Sequence, residues 1–224
     1  MQKRDILLKI YQSLYDFFGP LNWWPGDTPF EIMVGAVLTQ NTSWSNVGKA
    51  INNLKKENLL EPWKLYRINR EGLAQLIKPS GYYNIKARRL KNFLNLFVND
   101  FEGSAEKMFS GNSWELRKKL LKVNGIGPET ADSILLYAGN KLFFVVDAYT
   151  KRIFSRHKLI SKDASYHQIQ KFFSQNLDRD VKLFNEFHAQ IVMLGKTICT
   201  SRNPNCAKCP IAYLNSVERT AFSV

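Results

Sequence analysis

The feature that most constrains the fold is a pair of glycines set between two helical segments. Residues 121–136 read Leu-Lys-Val-Asn-Gly-Ile-Gly-Pro-Glu-Thr-Ala-Asp-Ser-Ile-Leu-Leu. Gly125 and Gly127 permit a tight turn with positive φ and close approach of the backbone to an outside group. Pro128 suits the first position of a helix, where its missing N–H costs nothing. The N–H groups that follow can hold an anion, so we predict an anion-binding helix–hairpin–helix.

The chain is strongly basic. Its 224 residues include 32 Lys and Arg against 19 Asp and Glu, which gives a net charge of +13. Such an excess indicates a polyanionic partner whose binding weakens with salt, although solubility alone could account for it. Together with the hairpin, the charge favours a nucleic acid phosphate as the anion. Because no apolar run approaches the ~20 residues of a membrane span, and no secretory segment is evident, we expect a cytoplasmic protein without a membrane partner.

The hydrophobic pattern is helical along the chain, and we predict an all-α fold. Only residues 142–146 are rich in β-branched and aromatic residues, and this run is too short to define a sheet. In the helix that carries Leu90 and Phe93 on its inward face, we expect the basic side chains, Lys86 among them, to be available to solvent. Phosphate contacts are the alternative role for this basic segment.

Three cysteines lie close together near the end of the sequence, at Cys199, Cys206 and Cys209. An odd number of cysteines cannot all pair in disulfides within the chain, and their clustering favours a metal site instead. The histidines, by contrast, show no ligand spacing with one another. We expect them in the core or on the surface.

A carboxylate, Asp147, follows the hairpin and precedes a predicted helix over residues 148–156. Taken alone, it is typical of a helix N-cap. A carboxylate can also stabilise a developing positive charge electrostatically, and it can orient or deprotonate water. The two roles can coexist.

Together these features resemble the helix-hairpin-helix DNA glycosylases of the endonuclease III superfamily. The resemblance covers nearly the whole chain and rests on four segments in family order: Leu38-Thr39-Gln40-Asn41-Thr42, Gly81-Tyr82-Tyr83-Asn84-Ile85-Lys86-Ala87, the hairpin with Asp147, and Cys199-x6-Cys206-x2-Cys209.

The resemblance implies two helical lobes with DNA in the cleft between them. Residues 21–141 would form a six-helix barrel that carries the hairpin. Residues 1–20 and 142–224 would form the second lobe, with a cysteine loop at 199–215. The expected partner is double-stranded DNA that contains a damaged base, which is flipped into a pocket. The protein is expected to act as a monomer.

The resemblance also implies roles for individual residues. Asp147 would be the catalytic carboxylate, and the hairpin at 124–128 would grip a phosphate. Gln40 and Tyr82 would fill the space that the flipped nucleotide leaves. The residues expected to contact DNA are Gln40, Tyr82, Asn124, Gly125, Gly127 and Thr130.

One position departs from part of the family. Members that also cut the DNA strand through a Schiff base carry a lysine in the hairpin helix, and the corresponding residue here is Glu129. Glutamate cannot form an imine. We therefore predict a monofunctional glycosylase, without AP-lyase activity, that uses water as the nucleophile.

Several segments look like the 3-methyladenine DNA glycosylase branch, in which aromatic residues sandwich a methylated purine. Such a purine carries positive charge in the nucleoside, and aromatic faces attract cations. The candidate pocket residues are Trp23, Trp24, Pro25, Trp44 and Glu129, with core packing as the alternative for each tryptophan. The predicted function is removal of alkylated purines in base-excision repair. The alternatives are a glycosylase for mismatched or oxidised bases, and a non-catalytic helix-hairpin-helix DNA-binding protein.

The family's cysteine loop reads Cys-x6-Cys-x2-Cys-x5-Cys and ligates a [4Fe–4S] cluster. Here the fourth position is Asn215. We expect a bound [4Fe–4S] cluster on Cys199, Cys206 and Cys209. A non-cysteine fourth ligand, a three-iron form and an empty loop remain the possible outcomes at this position.

Overall fold

The computed structural model describes residues 2–23 and 26–215. Trp24 and Pro25, two of the candidate pocket residues, lie outside the described residues. Within the described part every regular element is helical, which confirms the predicted all-α class. None of the helices described is both long enough and apolar enough to cross a membrane.

The described residues form twelve α-helices, with a π-helical turn at Ile134–Ala138 and short 3-10 turns at Lys78–Ser80, Cys206–Lys208 and Ala212–Asn215. The α-helices are α1 (Lys3–Phe18), α2 (Pro29–Leu38), α3 (Trp44–Lys56), α4 (Pro62–Arg67), α5 (Arg70–Leu76), α6 (Tyr83–Phe101), α7 (Ala105–Ser110), α8 (Ser113–Lys122), α9 (Pro128–Ser133), α10 (Ala148–Arg156), α11 (Tyr166–Asn176) and α12 (Val181–Thr197).

The chain divides into two compact units, with the divisions after Trp23 and after Lys141. Helices α2 to α9 belong to the inner unit. Helices α1 and α10 to α12 belong to the unit built from both ends of the chain. The sequence prediction placed the divisions after residues 20 and 141, and we propose that the two units correspond to the two helical lobes.

Helix α2 is the centre of the inner unit. It begins at Pro29, whose ring suits the first helical position, and the hydroxyl of Thr28 accepts a hydrogen bond from the Glu31 N–H at 3.1 Å. The helix is apolar around most of its circumference, which is typical of a helix buried on all sides. It packs against α3, α6, α9 and the π-helical turn.

Helix α6 is the long amphipathic helix of the inner unit. Leu90, Phe93 and Phe97 lie on its buried face, as the hydrophobic spacing predicts. The Phe97 ring stacks on Phe30 of α2, with ring centroids 5.6 Å apart. This packing fixes the C-terminal part of α6 relative to the start of α2.

The other unit has an aromatic core. The rings of Phe144 and Phe173 stack with centroids 4.0 Å apart, and Phe184 and Phe187 pack edge-on against Phe144. Phe144 belongs to the run at residues 142–146, which is a buried extended connection and not a strand. This connection leads directly into Asp147.

Candidate functional site

The two helices that flank the hairpin are joined by a buried ion pair. Arg117 of α8 donates through Nε and Nη2 to the two carboxylate oxygens of Asp132 on α9, at 2.6 and 2.9 Å. The Asp132 side chain is fully buried. A bidentate, charge-assisted pair of this kind fixes both distance and orientation. Arg117 cannot be recognised from the sequence, because nothing in the local pattern marks its partner.

The two hairpin glycines differ in what they require. Gly125 has a φ of +96°, and a Cβ added there would lie 2.2 Å from Cγ of Arg89. Gly127 has a φ of −90° in extended backbone, and nothing lies within 4 Å of a Cβ added to it. The expectation of positive φ was therefore right for Gly125 and wrong for Gly127. Gly127 instead leaves open space at an exposed point of the hairpin.

Gln40 is held against the hairpin. Its Nε2 donates to the carbonyl oxygen of Gly125 at 2.9 Å and to the hydroxyl of Thr130 at 3.0 Å. Its Oε1 accepts a hydrogen bond from Nη1 of Arg89. Thr130 is buried and its hydroxyl accepts the Gln40 amide, so this hydroxyl serves the internal network and does not face an exposed surface.

Tyr82 projects from the turn before α6. Its side chain is 71% exposed, and both Gly81 and Tyr82 have positive φ, at 70° and 46°. A non-glycine residue in the left-handed region carries local strain, which is common at functional positions. Asn124 is also exposed, and its carbonyl oxygen accepts a hydrogen bond from Nδ2 of Asn92 at 3.0 Å.

Lys86 is buried, in contrast to the expected solvent exposure. Its Nζ donates to the carbonyl oxygens of Leu38 at 2.8 Å and Ser80 at 2.6 Å. Burial, and then the nearby charge of Arg89, lower its pKa from 10.5 to about 8. Lys86 precedes Leu90 by about one helical turn on the inward face, a signal that the sequence analysis missed. Lys86 thus joins the ends of two loops, one leading to Gln40 and one to Tyr82.

In the other unit, Asp147 caps α10. Its Oδ1 accepts hydrogen bonds from the N–H of Thr150 at 2.7 Å and from the Thr150 hydroxyl at 2.9 Å. Its Oδ2 lies 3.6 Å from Nε2 of the buried His188. Burial alone would raise the pKa of Asp147, but His188 and the Thr150 donors outweigh it and hold the pKa below the ordinary value of 3.8. Asp147 is therefore ionised at neutral pH.

Lys196 of α12 connects Asp147 with the candidate pocket residue Trp23. Its Nζ lies 5.0 Å from the centroid of the Trp23 ring. Partial burial of the ammonium lowers the pKa of Lys196, and the nearby charge of Asp147 acts in the opposite direction. Trp23 also lines an open cavity of about 730 Å³ with Tyr11 and Tyr15. An aromatic ring and a carboxylate thus share one cationic neighbour within this unit.

The other two described pocket candidates belong to the inner unit. Trp44 is half-buried at the first position of α3, with Ser43 as the helix N-cap. Glu129 is exposed in the first turn of α9. Neither residue is fully buried, and a pocket role for each stays a prediction.

The three cysteines are free thiols around one cavity of about 210 Å³. Cys199 is buried and accepts a hydrogen bond through Sγ from Nη1 of Arg156 at 3.3 Å. Burial raises the pKa of Cys209, and the neighbouring Cys199 and Cys206 raise it further. Among residues 2–23 and 26–215, no group of three or more His, Cys, Asp or Glu side chains is placed to hold a metal ion.

Comparison with known proteins identifies the class. Residues 34–179 match the HhH-GPD superfamily of base excision DNA repair proteins, and the chain belongs to this superfamily. This confirms the resemblance found in the sequence. The protein is a DNA glycosylase, an enzyme that hydrolyses the N-glycosidic bond between a base and its sugar.

Two relatives match most of the chain. A Methanocaldococcus jannaschii protein, provisionally named a DNA repair glycosylase, is 48% identical over 211 residues, which are 93% of this chain and 95% of the relative. Endonuclease III of Thermotoga maritima is 29% identical over 181 residues, 81% of this chain and 79% of that one.

Two solved structures are also similar to this chain. An H. pylori 3-methyladenine DNA glycosylase bound to 1,N6-ethenoadenine has a TM-score of 0.75 and 33% identity, and the match covers 88% of this chain and 98% of that one. An endonuclease III–DNA complex has a TM-score of 0.80 at 21% identity, covering 96% and 95%, and supports the fold alone.

Proposed function

We propose that this protein is a monofunctional DNA glycosylase that releases alkylated purines of the 3-methyladenine type from double-stranded DNA. It would act as a monomer in the cytoplasm, with water as the nucleophile and Asp147 as the catalytic carboxylate. The proposal refines the established class by naming the substrate, the nucleophile and the residues involved.

The state of Asp147 is the observation that carries the proposal. Its Oδ1 accepts the N-cap hydrogen bond from the Thr150 N–H of α10, and its pKa lies below the ordinary value for a carboxyl group. A partly buried carboxylate that stays ionised can stabilise the positive charge that develops on the sugar as the base departs. The carboxylate can also orient or deprotonate the attacking water.

Residues of the inner unit supply candidate contacts to DNA. The exposed hairpin at Asn124 and Gly127 would approach a phosphate with its backbone, and Tyr82 would enter the base stack at the flipped nucleotide. Gln40 is held by Gly125 and Arg89, so its amide would reach DNA from a fixed position beside the hairpin. The net charge of +13 supports binding to phosphates.

Glu129 supports the absence of strand cutting. Endonuclease III-type lyases use a lysine amine in the hairpin helix, and at the matching position this chain has a carboxylate exposed to solvent. A carboxylate cannot form an imine with the sugar. The abasic product would therefore be released with its strand intact.

The proposed substrate class rests on Trp23. Its ring already has the Lys196 ammonium on its face, with Nζ 5.0 Å from the centroid, so the position accommodates a cation over an aromatic ring. An alkylated purine that carries positive charge in the nucleoside would be bound by the same interaction once it replaced the ammonium on this face. The 33% identity to a 3-methyladenine DNA glycosylase supports the same choice.

The test is an excision panel with duplexes that contain 3-methyladenine, a G·T mismatch or an oxidised pyrimidine. Asp147→Asn and Asp147→Ser are the matched variants, because Asn and Ser both keep a good helix N-cap. We expect release of 3-methyladenine by the wild type and at least about a hundredfold loss in both variants. Preferential release of the mismatched or oxidised base would assign the endonuclease III-type alternative. Borohydride trapping of the wild type on DNA would contradict the role assigned to Glu129.

We also propose that Cys199, Cys206 and Cys209 hold a [4Fe–4S] cluster. Their three thiols wall one cavity, and the Arg156 guanidinium beside Cys199 offsets negative charge there. When bound, such a cluster holds its loop in a fixed conformation through metal–thiolate bonds. Equal amounts of iron and acid-labile sulfide in anaerobically prepared protein would support the proposal, and their absence would refute it.

A further inference from the structure

The cysteine cavity has a fourth residue with a metal-binding side chain. His157 lines the same cavity of about 210 Å³ as Cys199, Cys206 and Cys209. The histidine is distant from the cysteines in sequence, so no spacing motif reveals it. The fold brings it there because the end of α10 packs beside the cysteine loop.

The position of His157 is fixed by its neighbour in the chain. Arg156 donates to the Cys199 sulfur at 3.3 Å and to the carbonyl oxygens of Thr200 and Ser201 at 2.6 Å each. These three hydrogen bonds tie the last turn of α10 to the loop that carries the first cysteine. His157 follows directly and is only 7% exposed. Its approach to the cavity is therefore built into the fold.

The donor set is compatible with more than one metal group. Three cysteines and one histidine are a common donor set for a single zinc ion, and cysteine thiolates with histidine also ligate iron–sulfur centres. In the described part of the chain, no three His, Cys, Asp or Glu side chains already form a group that could hold a metal ion. We choose the cluster because Cys199-x6-Cys206-x2-Cys209 matches the start of the family's cluster loop.

We propose that His157 is the fourth ligand of a [4Fe–4S] cluster held by Cys199, Cys206 and Cys209. This inference rests on the cluster proposed above and not on the identity of the excised base. The residue at the family's fourth cysteine position is Asn215, and the imidazole supplies the ligand that this position lacks. A histidine nitrogen is an accepted iron ligand in other iron–sulfur centres.

A histidine ligand has a measurable consequence. Imidazole is neutral where a thiolate is anionic, so a cluster with one histidine carries less negative charge. Replacement of thiolate by histidine raises the reduction potential of iron–sulfur centres. We therefore expect a higher potential in the wild type than in a His157→Cys variant, in which a thiolate replaces the imidazole.

The test compares full-length wild type, His157→Ala, His157→Cys and the control His167→Ala after anaerobic reconstitution with iron and sulfide. His167 is exposed and lies on α11. We expect nitrogen hyperfine coupling in pulsed EPR of the reduced wild type, and a change in that coupling when the protein is labelled with 15N-histidine. The His167→Ala protein should keep the coupling. The His157→Cys protein should keep the cluster, lose the coupling and show a lower potential.

Several outcomes would overturn the assignment. They are a wild-type cluster without nitrogen coupling, coupling that persists in His157→Cys, or wild-type protein that takes up zinc and no cluster. Labelling with 15N-histidine uses the wild type alone, so the proposal can be refuted even if the His157→Ala protein fails to fold. Base excision is measured separately on the same preparations. If the wild type releases no 3-methyladenine although its cluster is intact and shows nitrogen coupling, the proposed function is contradicted. The histidine ligand is then still supported.

Discussion

The burial of Lys86 predicts an unusual dependence of stability on pH. Its Nζ is enclosed between the carbonyl oxygens of Leu38 and Ser80, and its side chain is 1% exposed. A pKa of about 8 in the folded protein, against an ordinary 10.5, corresponds to about 3 kcal/mol at about 1.4 kcal/mol per pKa unit. Between pH 8 and 10.5 the unfolded chain binds more protons at this residue than the folded chain. The free energy of unfolding therefore rises with pH in this range.

The perturbation that isolates this effect is Lys86→Met, which keeps the length of the side chain and removes the ammonium. Each carbonyl oxygen left without a donor costs about 1–3 kcal/mol. Relief from burying a charge offsets about 3 kcal/mol of that cost near neutral pH. We therefore expect the variant to fold at pH 7 with a stability close to that of the wild type. Its excision activity should fall mainly through weaker DNA binding, because the loops that lead to Gln40 and Tyr82 lose their common tie.

The assay is urea unfolding of both proteins at a series of pH values from 7 to 10.5. The difference in unfolding free energy, wild type minus Lys86→Met, should increase by about 3 kcal/mol across this range. Other titrating groups are common to both proteins and cancel in the difference. Lys122→Met, which removes an exposed lysine, serves as the control and should show no such increase. If the difference in unfolding free energy between the two proteins stays constant or falls with pH, Lys86 is not a buried ammonium held between two carbonyl oxygens.

Three further outcomes are expected from the same structure. Because the folded pKa of Asp147 lies below 3.8, its carboxylate stabilises the fold above that pH, and acid unfolding curves should lose this contribution in Asp147→Asn. Arg117→Met leaves Asp132 buried without its ion-pair partner and should cost about 3–5 kcal/mol in urea unfolding, with partial recovery in the double variant with Asp132→Asn. Gly125→Ala should cost about 2–4 kcal/mol through positive φ and overlap with a neighbouring side chain. Gly127→Ala should change stability by less than about 1 kcal/mol, and equal effects at the two glycines would contradict the hairpin geometry.

The helices could be predicted from the sequence because their signals are local. The spacing of Leu90 and Phe93 identifies the buried face of α6, and Pro128 after Gly127 identifies the start of α9. Asp147 was identified as an N-cap for the same reason, since a cap is recognised from a few adjacent residues. Its role in catalysis stays a prediction.

The parts of the site that the sequence did not reveal depend on residues far apart in the chain. Arg117 contacts Asp132, and Asp147 approaches His188, only after the helices have packed. No periodicity in the sequence reveals such a pair. Lys86 is a different case. Its charge suggested solvent, but its position on the inward face of α6 required burial, and the two backbone carbonyls make that burial tolerable. The position of Lys86 on the inward face of α6, and not the charge of its side chain, determined that it is buried.

The contact between Gly125 and Arg89 has a consequence for how the hairpin can be used. The Arg89 side chain occupies the space where a Cβ of residue 125 would lie, and its guanidinium reaches Gln40. The turn is thus shaped partly by a residue of α6 that is not in the motif. A peptide of α8 and α9 alone, or a graft of the hairpin onto another scaffold, would lack this support. To keep its conformation in another protein, the helix–hairpin–helix would have to be grafted together with Arg89 and Gln40.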